Sequence, residues 1–152
     1  MLNQVYLTPG SLYAATAPCV ITTLVGSCVA VTMWSARLKV GGMNHYLLPR
    51  QASGTERSPR YGETALAMLL ARMEVLGCVA AEIETRIYGG AAVLATLSAG
   101  ISLGEQNVVA AWQFARARAL HVVDEQAGGK VARRLMLDVQ TGAVDVKTLG
   151  GG

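Results

Sequence analysis

Cys28-Val29-Ala30-Val31-Thr32-Met33-Trp34, followed after Ser35 to Lys39 by Val40-Gly41-Gly42-Met43-Asn44-His45-Tyr46-Leu47-Leu48, reads as a hairpin of two strands. The first run, 28–34, is apolar at nearly every position, which suits a strand covered on both faces in the middle of a sheet. Its partner, 40–48, stops at Pro49, which has no amide hydrogen to offer a ladder. Gly26-Ser27 supplies the turn that delivers Cys28 to the head of the first strand. If the hairpin turns near 35–39, Cys28 and His45 stand roughly across from one another, and register decides whether they touch.

Working outward, 3–7, 11–16 and 19–24 predict three short strands, separated by Thr8-Pro9-Gly10-Ser11 and by Ala17-Pro18. Arg50 to Pro59 is the most loop-like segment and follows His45 closely. From Arg60 the period becomes helical: Ala65, Leu66, Leu69, Leu70, Met73 and Leu76 predict a helix over 61–76 that stops at Gly77. Residues 80–88 alternate charged and apolar positions and predict a strand. Residues 91–103 read as a short helical turn and a loop. A second helix is expected over 105–120, with Val108, Val109, Trp112, Ala115 and Ala119 as its apolar face. Strands at 121–125, 132–139 and 143–148 close the pattern, the last two joined by Gln140-Thr141-Gly142, and Gly150 to Gly152 should fray. Mostly strands with two inserted helices means α/β in the α+β sense, as one domain over 1–152.

Composition narrows the function classes. With 52% hydrophobic and 15% charged residues the chain is too apolar to be disordered. No apolar run is long enough to span a bilayer, and Met1 to Val5 lack the features of a signal peptide, so the expected location is the cytosol, without membrane insertion. Cys19, Cys28 and Cys78 are widely spaced and odd in number, which fits free thiols rather than disulfides or a CxxC zinc site. No metal or cofactor is expected. A net charge of +3, with Lys130, Arg133 and Arg134 as the tightest basic group and 5% aromatic residues, is a poor footprint for nucleic acid.

A thiol with an ordinary pKa near 8.5 becomes an effective nucleophile when an imidazole takes its proton, after which it can attack an acyl carbon. His45 is the base that the hairpin offers Cys28. His121 is the weaker candidate because nothing local couples it to a nucleophile. Gly26 and Ser27 fit an oxyanion role, with the Cys28 amide as a further donor. Thr22 or Thr23 is near enough to hold the imidazole, through a hydroxyl or a carbonyl. Each residue also has a plainer reading: cysteine as a small hydrophobe, histidine as a packing residue, Gly-Ser as an ordinary turn. The residues alone define a candidate thiol acyl-transfer site.

The same stretch resembles the chemoreceptor glutamine deamidases, the CheD family. The resemblance lies in Val25-Gly26-Ser27-Cys28-Val29, Gly41-Gly42-Met43-Asn44-His45 and Leu48-Pro49. It continues through Tyr61-Gly62-Glu63-Thr64-Ala65, Arg86-Ile87-Tyr88-Gly89-Gly90-Ala91, Leu103-Gly104-Glu105-Gln106-Asn107 and the Gly128-Gly129 to Arg133-Arg134 block, and so spans almost the whole chain. It implies hydrolysis of glutamine side-chain amides on methyl-accepting chemotaxis receptors, with glutamyl methyl esters cleaved by some members. It further implies Cys28 as nucleophile, His45 as its partner and Thr22, six positions before the cysteine, as the third catalytic residue. The implied fold is a layered α-β-β-α sandwich related to the deamidase domain of cytotoxic necrotizing factors, and the implied partner is a CheC-type phosphatase. Gln106, Gln126, Ala132 and Arg86 depart from the family's usual Arg, Asp, Gly and Lys, which bears on docking more than on chemistry. The rival readings are a chemotaxis adaptor with little catalysis and a thiol enzyme of other specificity.

Overall fold

The computed structural model describes residues 2–51, 54, 57–92 and 101–150. The expected turn and loop over 91–103 falls largely outside these residues, as do Gly151 and Gly152. The strand read first from the sequence is β4, Val29–Ser35, and every one of its residues is buried. It lies at the centre of a five-stranded sheet ordered β2 (Leu12–Thr16), β5 (Val40–Asn44), β4, β6 (Glu84–Gly89) and β7 (His121–Ala127). A second sheet of four strands runs β1 (Asn3–Tyr6), β3 (Cys19–Val25), β8 (Ala132–Asp138) and β9 (Val144–Leu149).

Alternation along β4 divides its side chains between two cores. Val29, Val31 and Met33 pack with Leu66, Leu69 and Met73 of α1 (Gly62–Val75) and with Ala111 and Ala115 of α2 (Leu103–Ala117). Ala30 and Trp34 face the other way and pack with Ile21, Val25, Leu135 and Leu137 of the four-stranded sheet. The layers are therefore helices, five-stranded sheet, four-stranded sheet. The fourth layer of the expected α-β-β-α sandwich is absent among the described residues. Tyr6, Leu24 and Met136, on the outer face of the four-stranded sheet, are 61%, 43% and 36% exposed, so no helix covers them.

Three elements differ from their sequence reading. The expected strand over 40–48 is regular only to Asn44, with isolated bridges at Tyr46 and Leu48. Within 80–88, Ala80–Glu82 forms a 3-10 turn before β6 begins. Glu82 binds the Arg37 guanidinium through both carboxylate oxygens and accepts the Val79 amide, which holds the chain in that turn. The buried stripe of α2 is Gly104, Asn107, Ala111 and Ala115, while Val109 and Trp112 face outward. Small residues let this helix approach the sheet closely, and that contact outweighs the larger apolar surface of the neighbouring stripe.

Candidate active site

Register places the site. Thr32 pairs with Met43, and Val29 and Tyr46 exchange backbone hydrogen bonds of 3.1 and 3.0 Å in the same register. Continuing that ladder sets Ala30 opposite His45 and Cys28 opposite Leu47. Cys28 and His45 are thus diagonal neighbours on one face rather than directly opposed, and no hydrogen bond joins them in this structure. That face is turned toward the four-stranded sheet, where Thr23 projects inward from β3.

The Thr23 hydroxyl lies 2.8 Å from the Leu7 carbonyl and 2.7 Å from His45 Nδ1. A hydroxyl has one hydrogen. The carbonyl can only accept, so the hydroxyl donates to Leu7 and accepts from Nδ1–H. This fixes the imidazole tautomer and leaves the lone pair on Nε2, which is buried and has no partner. Thr22, placed in the catalytic set by the resemblance, does not reach the imidazole. It pairs with Tyr6 and Met136 and shares their outward face, so the strand's two-residue period gives the contact to Thr23.

Electrostatics make this a neutral pair at neutral pH. Burial lowers the His45 pKa to about 4. Burial also raises the pKa of the half-buried Cys28 thiol, with a hydrogen bond from its own backbone amide pulling the other way. An imidazole uncharged at pH 7 is in the right form to accept a thiol proton.

The turn that carries Cys28 is anchored through its carbonyls. Gly26 accepts from Ala91 N–H at 2.9 Å, Ser27 from Asn107 Nδ2 at 3.0 Å, and Cys28 from Gly90 N–H at 2.9 Å. Gly89, at φ +108°, allows this approach, since a Cβ there would collide with the Cys28 carbonyl. With the carbonyls taken up, the amides of Ser27 and Cys28 have no acceptor on another of the described residues. They are available to a developing oxyanion, the role expected for the Gly26-Ser27 turn. In front of the thiol is a cleft of about 270 Å³ lined by Ser27, Leu47, Leu48, Arg60, Tyr61 and Leu103.

His121 pairs with Glu84, at the other end of the five-stranded sheet from Cys28, and stays outside the site. Cys19 and Cys78 are buried, and burial raises both thiols. Among the described residues, no three His, Cys, Asp or Glu side chains gather as a metal site requires, and no helix is long and apolar enough to cross a membrane. Asn107 escaped the sequence reading as a site residue. The available signal was a polar residue inside a helix, in line with Gly104, Ala111 and Ala115.

A cysteine at a cleft, beside an imidazole whose tautomer a buried hydroxyl fixes, has the parts of a thiol acyl-transfer site built into a two-sheet α+β core. The chain belongs to the CheD chemotactic sensory transduction family, whose model matches residues 47–148. A "Probable chemoreceptor glutamine deamidase CheD" of Rhodospirillum rubrum is 40% identical over 144 residues, covering 95% of this chain and 81% of that protein. Proteins of the same printed name from Trichlorobacter lovleyi and Methanococcus maripaludis are 34% and 35% identical, covering 94% and 91% of this chain and 89% and 90% of theirs. The family-model match begins after His45, whereas an alignment over 95% of the chain necessarily runs through both Cys28 and His45.

Proposed function

We propose that the protein hydrolyses selected glutamine side-chain amides on methyl-accepting chemotaxis receptors in the cytoplasm. Cys28 Sγ attacks the glutamine Cδ while His45 Nε2 takes the thiol proton. Amides of the Gly26 to Cys28 turn hold the negative oxygen of the tetrahedral intermediate. His45 then gives its proton to the departing nitrogen, ammonia leaves, and a thioester remains on Cys28. Water, deprotonated by the same imidazole, hydrolyses the thioester to glutamate and restores the thiol. A glutamyl methyl ester follows the same route with methanol leaving.

The observation that carries this reading is the unpartnered, buried Nε2 of an imidazole held through Nδ1 by Thr23. The relatives' names supply the substrate, since nothing in the cleft selects a receptor. A CheC-type phosphatase as partner and kinship with the cytotoxic necrotizing factor deamidase domain belong to the same reading.

The test is mass spectrometry of a receptor cytoplasmic domain after incubation with the wild type and with Cys28→Ala. The expected result is a gain of about 1 Da at defined glutamines with the wild type alone, the change from amide to carboxylate. An equal gain with Cys28→Ala would overturn the mechanism. No gain on any receptor, with Cys28 inert to mild alkylation, would favour an adaptor.

A further inference from the structure

Asn107 sits in the middle of α2, fully buried, where every neighbour on its stripe is Gly or Ala. Both hydrogens of its side-chain nitrogen are used, one on the Ser27 carbonyl at 3.0 Å and one on the Leu47 carbonyl at 2.9 Å. Since both partners only accept, the orientation of the amide is fixed. The Asn107 backbone carbonyl accepts the Tyr46 hydroxyl at 2.6 Å. One helical residue thus grips the residue before Cys28, the residue opposite Cys28 and the residue after His45. The grip leaves Asn107 Oδ1 buried without a partner. An apolar side chain would occupy the stripe without that penalty, so packing alone does not explain an asparagine here.

We propose that Asn107 is a positioning residue that orients the Cys28 amide as the oxyanion donor; this rests on Cys28 being an acyl-accepting nucleophile. In a trans peptide the C=O and the following N–H point in opposite directions. Holding the Ser27 carbonyl toward α2 therefore turns the Cys28 N–H away from the helix, on the side opposite Asn107. During acyl transfer the substrate oxygen becomes negative one bond from the carbon that Sγ attacks, within reach of that amide. The second bond, to Leu47, ties the partner strand to the same helix and keeps the cleft wall in register with the thiol.

The test separates acyl transfer from simple thiol reactivity and needs no receptor. Two rate constants are measured for Cys28 in the wild type, Asn107→Ala and Asn107→Ser: alkylation by iodoacetamide, and acetylation by p-nitrophenyl acetate. In the second reaction Sγ takes the acetyl group, p-nitrophenolate leaves, and the thiol proton passes to His45. Alkylation creates no oxyanion. The proposal expects acetylation to fall about a hundredfold while alkylation changes less than about threefold. Receptor deamidation should then lose kcat with KM nearly unchanged. Equal losses in both reactions, or acetylation within about threefold of wild type, would overturn the proposal. So would failure of both variants to fold, which would make Asn107 a core residue only. A wild type that is acetylated at Cys28 but leaves every receptor unchanged would sink the substrate reading and not this one.

Discussion

The two ends of β4 are made of the same kind of strand and differ in which polar groups they leave unpaired. At the Trp34 end, the indole N–H donates to the Val139 carbonyl at 2.7 Å, Ser35 Oγ accepts the Leu38 amide, and Arg86 reaches the Gly142 carbonyl. At the Cys28 end, His45 Nε2, Asn107 Oδ1 and Asn44 Nδ2 are all buried without partners. The hydroxyls of Thr32 and Thr85, further along the sheet, are unpaired as well, and nothing in the structure explains them. Only the Cys28 end leaves a titratable atom in that condition. On the proposed mechanism this lone pair receives the thiol proton, so it is not spent on a permanent hydrogen bond and stability is forgone there.

The largest effects should split cleanly between the ends. Cys28→Ala is expected to reduce amide hydrolysis by on the order of 10⁴-fold or more, with the melting temperature nearly unchanged, because the thiol is half-buried at the edge of a core. Trp34→Ala should do the reverse. It removes a large buried side chain against which Gly142 packs, and should cost about 3–5 kcal/mol in denaturant unfolding while any molecules still folded keep their activity. If Cys28→Ala unfolds the protein, or Trp34→Ala affects only turnover, the division is wrong.

Acid should test the same contrast in the wild type. In the folded protein His45 has a pKa of about 4, against an ordinary value near 6.5 once unfolded. Between these values the unfolded chain binds the extra proton, so the contribution of His45 to stability falls as pH drops through that window and levels off below about 4. The shift corresponds to roughly 3 kcal/mol. Unfolding free energies measured from pH 7 to 4 should show this slope, and His45→Gln should remove most of it. An unchanged slope in the variant would place the acid sensitivity elsewhere.

The hairpin, α1, most strand positions and the placing of Cys28 and His45 at the same end of the hairpin were legible because apolar runs and turn residues are local signals. The face of α2 was legible only in part: Val108 and Ala115 do face the core, but Val109 and Trp112 carry a strong apolar signal and point outward while close approach to the sheet selects Gly104 and Ala111. The absence of an outer helix layer among the described residues was also illegible: β3 and β8 alternate in a way that fits either an open or a covered face. Asn107 acts across 80 residues of chain to Ser27, a contact that no local pattern encodes. Thr22 and Thr23 are indistinguishable in composition, and only the phase of β3 against the second sheet separates them.

That last pair gives the finest test of the comparison. Thr23→Val keeps the side chain's shape but removes the acceptor that fixes Nδ1–H, so both tautomers and a wider range of ring orientations become accessible. Turnover should fall roughly tenfold to a hundredfold, less than the loss of a charged triad member because a neutral hydroxyl is being removed. Thr23→Ser, which restores the hydroxyl, should recover most of the loss. Thr22→Val, on the outward face beside Tyr6 and Met136, should stay within about twofold of wild type. Parallel kcat measurements on the three variants, with melting temperatures as a check on folding, decide the matter. A large loss with Thr22→Val and none with Thr23→Val would mean that the imidazole takes its working partner from the outer face, and the inter-sheet placement of the site would have to be abandoned.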